Sequence, residues 1–165
     1  MPIKVLIGLG SNLNSPVEQI QTAIRSISSH NDIELLKTSS FYESLPQGPQ
    51  DQARFINAVI LIATSLKPTS LLLTLQDIER SQGKIKVRHW GERCIDLDIL
   101  FIEQQIINQT NPDLIVPHPH ALNRDFVLLP ACEIEPDWQL ADKSVIKDYL
   151  STYIRHDIKK IALSS

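Results

Sequence analysis

The chain of 165 residues is 42% hydrophobic and 21% charged, enough for one sizeable core and short for two ordinary domains, so residues 1–165 are expected to form a single domain. A net charge of −3 excludes an overall basic field for duplex nucleic acid or an anionic membrane surface. No apolar run approaches the ~20 residues that span a bilayer, and Cys94 and Cys132 lack zinc-finger spacing, which predicts reduced thiols in a cytoplasmic chain with no nucleic-acid or membrane partner.

Residues 3–9 are almost continuously apolar and run into Gly8-Leu9-Gly10-Ser11-Asn12, which predicts a buried strand stopping at a glycine turn. Ser15-Pro16-Val17-Glu18 has capping-box spacing with proline at the first helical position, and Val17, Ile20, Ile24 and Ile27 share one helical face. Two strand-like runs follow, 33–44 and 54–64, joined by the turn-prone stretch 45–51. Pro68 opens a second helix with Leu71, Leu72, Leu75 and Ile78 as its stripe and Gly83 at the C-terminal cap. After the basic loop 84–93, residues 95–102 alternate apolar and acidic side chains as a strand does. The order β-α-β-β-α-β predicts an α+β, ferredoxin-like sandwich. Its C-terminal additions are an apolar pair at Ile106-Ile107, a proline-rich loop over 112–119, and helical segments at 124–134 and 144–150.

The chemistry concentrates at Ile95-Asp96-Leu97-Asp98-Ile99. On a strand Ile95, Leu97 and Ile99 enter the core while Asp96 and Asp98 emerge together on the other face, their Cα atoms about 7 Å apart. Like charges there repel unless something positive lies between them, and two carboxylates at that separation can grip hard cations such as magnesium. Lys84, Lys86, Arg88 and Arg93 stand just upstream with Trp90, a set suited to a polyphosphate whose charge the metal and the basic side chains share. Neither the third glycine of a dinucleotide fingerprint nor a P-loop is present, so phosphates must be held by side chains and metal, with Gly8 and Gly10 permitting close backbone packing. The pair His118 and His120 is a poor zinc site by itself.

Gly10-Ser11-Asn12-Leu13, Gly48-Pro49-Gln50-Asp51-Gln52 with Phe55-Ile56-Asn57-Ala58, Arg88-His89-Trp90-Gly91 with Arg93 and residues 95–100, and Val116-Pro117-His118 with Asn123-Arg124-Asp125-Phe126 follow one another in order and register. In this the chain resembles the 6-hydroxymethyl-7,8-dihydropterin pyrophosphokinases from the first strand to about Asp137. The resemblance implies a ferredoxin-like fold and transfer of pyrophosphate from ATP to a pterin hydroxymethyl group with two Mg2+ ions. It also implies Asp96 and Asp98 as metal ligands, with Arg93 and Lys86 joining them at the reacting phosphates. Gln76, Glu79, Lys84, Lys86, Trp90, Arg93, Ile99, His118 and Arg124 then fall on the ATP side. Ser44, Leu45, Phe55, Asn57, Trp90 and Phe126 fall on the pterin side. The partners expected are small molecules alone, with the chain acting as a monomer. Lys84, Lys86, His89, Glu92 and Cys94 depart from the family's usual residues. A non-catalytic ATP-binding regulator and a two-metal phosphodiesterase are the competing classes.

Overall fold

The computed structural model describes residues 2–13, 15–45, 52–83, 94–119, 121–150 and 158–162. Strand β1 (Ile3–Ser11) is central: it pairs antiparallel with β4 (Phe55–Thr64) on one side and β5 (Asp96–Ile102) on the other. Helix α1 (Pro16–Ser28) follows β1, and α2 (Pro68–Ser81) joins β4 to β5. Strands β2 (Ile33–Thr38) and β3 (Phe41–Ser44) both pair with β4, which makes the order β5-β1-β4-(β2, β3) of a ferredoxin-like antiparallel sheet. The predicted run 33–44 is thus one strand interrupted at Ser39 and Ser40. Ser39 keeps the ladder closed there, donating its backbone N–H to the Val59 carbonyl at 2.9 Å and accepting the Val59 N–H on its hydroxyl at 2.9 Å.

Each face of this sheet carries its own core. Val5, Ile7, Leu9, Ile60, Ile62, Leu97 and Ile99 pack with Ile20 and Ile27 of α1 and Leu71 and Leu75 of α2, each buried side chain contributing about 1.5–3 kcal/mol. On the reverse, Leu6, Val59, Leu61, Leu100 and Phe101 pack against α3 (Asp125–Ile134) through Val127, Leu128 and Ala131, with Trp138 and Ile146 beyond it. Strand period puts Leu6 and Ile7 on opposite faces; in β5 a bulge opposite Leu6/Ile7 sends both Leu100 and Phe101 to the α3 side.

Several local expectations change. The strand does not stop at Gly8-Leu9-Gly10: β1 runs through to Ser11, and both glycines are ladder residues. The capping box at Ser15 does not form, because Ser15 sits at φ 63 with no side-chain cap bond, out of the extended geometry that lets an N-cap hydroxyl reach back to the helix. Gly83, by contrast, has φ 79 and donates to the Arg80 carbonyl, as a C-terminal cap does. Ile107 of the apolar pair opens a strand that forms a hairpin with the proline-rich stretch, β6 (Ile107–Gln109) with β7 (Leu114–Val116). Residues 144–150 form a 3-10 turn, Ile146–Tyr149, in place of an α-helix. A last strand, β8 (Lys159–Ile161), adds to the free edge of β3. Among the described residues no helix is long and apolar enough to cross a membrane.

Candidate active site

The register of the sheet lines up the polar residues of its α3-facing side. Asp96 lies opposite Gly10, Gly10 opposite Asn57, and Asn57 opposite Tyr42, so a single row crosses four strands; Asp98, Gly8 and Val59 form the next row. Residues paired directly across antiparallel strands share a face, which puts Asp96, Asp98 and Asn57 on one surface. Asp98 is exposed and Asp96 half-buried, while Leu97 between them is 5% exposed in the opposite core. The alternation expected of this strand holds from Ile95 to Ile99 and is broken by the bulge at Leu100.

Gly8 and Gly10 are the floor between the carboxylates and Asn57. A Cβ at Gly10 would stand 3.2 Å from Asn57 Oδ1 and 3.9 Å from the Phe55 ring, and one at Gly8 would stand 3.3 Å from Leu100. Asn57 and Leu100 close down on this bare backbone, so the glycines form the low floor of a trough with acids on one side and an amide and an aromatic ring on the other. Asn57 is buried and donates from Nδ2 to the Ser44 hydroxyl at 2.8 Å, which fixes its rotamer with Oδ1 toward Gly10. Leu45 follows Ser44, half-buried, at the end of β3.

Helix α3 brings the positive charge. Arg124 occupies its N-cap position and lies 5.6 Å from the centre of the Phe126 ring. Burial pulls the Arg124 guanidinium below its ordinary pKa, while the charge of Asp98 works against that shift, so cation and carboxylate share one field across the trough. His118 is docked on the outer edge of β5 by its backbone N–H, which donates to the Leu100 carbonyl at 2.9 Å. Glu79 of α2 approaches that edge from the other core, its Oε2 accepting the Leu97 N–H at 2.8 Å. Gln76 is half-buried one turn earlier on α2, and Ile99 is 4% exposed within the core beneath the helices. Lys84, Lys86, Trp90 and Arg93, together with His89, Glu92 and His120, lie outside the described residues.

Two contacts were not legible beforehand. Asn12, 3% exposed at the end of β1, donates from Nδ2 to Gln52 Oε1 and to the Ala53 carbonyl, both at 2.9 Å, and so ties the entry of β4 to the trough. Tyr42, next in the row after Asn57, donates its hydroxyl to Glu133 Oε1 at 2.5 Å, and Glu133 also accepts from the Ser40 backbone and hydroxyl. Burial, then the Glu133 carboxylate, raises the Tyr42 phenol above its usual range. Although burial by itself would raise Glu133, the bonds from Tyr42 and Ser40 and the Lys160 charge hold that carboxyl below its ordinary value. Alternation from Ser44 would have flagged Tyr42; nothing local signals Glu133. Cys94, two residues before Asp96, is 2% exposed. Cys132 is half-buried, and burial pushes its thiol up to about 11.

Two neighbouring carboxylates beside a floor of glycine backbone, with a guanidinium in the field of Asp98, fit a divalent cation bound with a phosphate-bearing substrate, since magnesium takes only one or two protein carboxylates and fills its octahedron with water and phosphate oxygens. Residues 6–136 match the family described as 7,8-dihydro-6-hydroxymethylpterin-pyrophosphokinase. The chain belongs to that family. A 2-amino-4-hydroxy-6-hydroxymethyldihydropteridine pyrophosphokinase of Haemophilus influenzae is 45% identical over 159 residues, 96% of this chain and 98% of that protein. The Pseudomonas aeruginosa protein of the same name is 41% identical over 90% of each chain. The fold is similar to that of the Plasmodium falciparum HPPK-DHPS crystallised with pteroate, at a TM-score of 0.73 and 14% identity, covering 92% of this chain and 42% of that one. This chain therefore spans less than half the length of that two-part structure.

Proposed function

We propose that this chain transfers the pyrophosphoryl group of ATP to the hydroxymethyl oxygen of 6-hydroxymethyl-7,8-dihydropterin, as one domain over residues 1–165. The observation that carries the reading is the row Asp96–Gly10–Asn57, which sets a metal-competent carboxylate and an amide fit for a pterin edge on either side of a floor without side chains.

Asp96 and Asp98 would hold the divalent ions, two in number on this reading, which supply charge neutralisation to the triphosphate when bound. On the pterin side, Asn57 offers an acceptor and a donor, Ser44 fixes its amide, and the rings of Phe55 and Phe126 suit the faces of a flat heterocycle. Ser44 and Leu45 contribute backbone groups at the end of β3. On the ATP side Arg124 and His118 would flank the carboxylates, with Gln76 and Ile99 toward the nucleoside end and Glu79 behind them on the Leu97 N–H. Lys84, Lys86, Trp90 and Arg93 complete the phosphate clamp by resemblance. The hydroxymethyl oxygen attacks Pβ, the bond from Pβ to the oxygen bridging to Pα breaks, AMP departs with that oxygen, and the hydroxyl proton passes to solvent. No described side chain is placed as a strong base, so orientation and charge complementarity supply the rate.

Incubation of the protein with ATP, magnesium and the pterin should yield AMP, and only when the pterin is present. Release of ADP, or AMP formation independent of pterin, would overturn the assignment and favour a phosphodiesterase or another kinase.

A further inference from the structure

Glu79 is an acidic residue in an apolar stripe. It follows Leu71 and Leu75 at four-residue spacing along the buried face of α2, and it is itself only 6% exposed. A carboxylate there costs desolvation that a leucine would not. Its Oε2 accepts the backbone N–H of Leu97 at 2.8 Å, and Leu97 separates Asp96 from Asp98. In an antiparallel strand successive N–H groups point to opposite sides. With the Leu97 N–H directed outward to Glu79, those of Asp96 and Asp98 are directed inward, where their register partners are Gly10 and Gly8 of β1. Among the described residues β5 ends the sheet at this side, and no further strand there takes the outward group.

We propose that Glu79 is a positioning residue for the metal-binding strand: its bond to Leu97 sets the rotation of β5 and thereby the spacing and direction of the Asp96 and Asp98 carboxylates. The inference rests on the reading of those aspartates as metal ligands, and it replaces the contact with the nucleotide that the resemblance implies for Glu79 by an indirect role through the strand. Partners of this kind, one bond removed from a metal ligand, typically change metal affinity or activity by 10–100-fold when lost.

The test compares Glu79→Leu with Glu79→Gln. Leucine fills the stripe but accepts nothing, whereas glutamine keeps an acceptor for the Leu97 N–H. Mn2+ binding is read by electron paramagnetic resonance with a non-hydrolysable α,β-methylene ATP analogue, alongside AMP affinity without metal and thermal unfolding. Glu79→Leu should unfold no earlier than the wild type, lose Mn2+ affinity and kcat by about 10–100-fold, and bind AMP normally; Glu79→Gln should stay within a few-fold of wild type. The proposal is overturned if Glu79→Leu binds Mn2+ normally, if it loses AMP affinity in step with Mn2+, if it fails to fold, or if glutamine does no better than leucine. The Mn2+ and AMP measurements need no turnover, so a wild type that forms no AMP from ATP and pterin would count against the activity and leave this comparison intact.

Discussion

The two faces of β5 divide the labour of one short strand. Ile95, Leu97 and Ile99 lock into the core under α1 and α2, while Asp96 and Asp98 face the α3 side, over the trough. Adjacent residues separated by one peptide should therefore govern different properties, with substitutions expected to alternate between loss of stability and loss of chemistry. On the α3 side itself there is a second division: Leu100 and Phe101 are core, and only the end of the strand nearer Asp96 is left open to a ligand.

The sharpest break in that comparison is expected at the acids. Asp96→Asn and Asp98→Asn should each lower kcat/KM on the order of 10²–10³-fold or more, with unfolding free energy within about 0.5 kcal/mol of wild type, as read by AMP release and denaturant titration. Leu97→Ala should do the reverse. It should cost about 2–5 kcal/mol in the same titration, while the folded fraction keeps its KM for ATP, because the backbone N–H that meets Glu79 is untouched. If Leu97→Ala instead behaved like Asp96→Asn, the two faces would not be separable.

A smaller effect belongs to the floor. Gly10→Ala places a methyl 3.2 Å from Asn57 Oδ1, so the amide must shift. The pterin KM should rise about tenfold, equivalent to ~1.4 kcal/mol, with magnesium dependence unchanged; an unchanged pterin KM would mean that Asn57 does not contact that substrate.

The smallest effect concerns Tyr42 and Glu133, which tie β3 to the far end of α3. Glu133 titrates below its ordinary 4.5 when folded, so its contribution is present above that pH and fades as pH falls through the lowered value. Tyr42 titrates above its ordinary 10.0, so its share is present below that pH and fades as pH rises through the raised value. Glu133 is partly solvated, and Glu133→Gln should cost at most about 1 kcal/mol. Stability curves of wild type and variant should converge once the pH is below the lowered value of Glu133, and a gap that persisted there would point to packing in place of charge.

Much of the fold was legible because its signals are local and periodic. The 3.6-residue spacing of Ile20 and Ile27, the Leu71–Leu75 stripe and the two-residue alternation around Asp96 each fix a buried face within one segment. The β6–β7 hairpin escaped because its strands are three residues long with polar members and prolines nearby, too short for a period to emerge. The break at Ser39 escaped because a hydroxyl there replaces a ladder group, a substitution visible only once Val59 is opposite it. At the site, the acids and glycines could be read from one stretch each. The bonds from Glu79 to Leu97, Asn12 to Gln52 and Tyr42 to Glu133 span 18, 40 and 91 residues of chain, and no sequence window contains both partners.

The outer edge of β5 has a further significance for the protein in a crowded solution. An edge strand with bare N–H and C=O groups is a template onto which another chain can add. Here the Leu97 N–H is taken by Glu79 and the Leu100 carbonyl by the His118 N–H, while β8 overlays β3 at the sheet's opposite margin. The same bonds that hold the strand beside the proposed site therefore also deny it a second ladder, and a variant that frees this edge is expected to self-associate more readily.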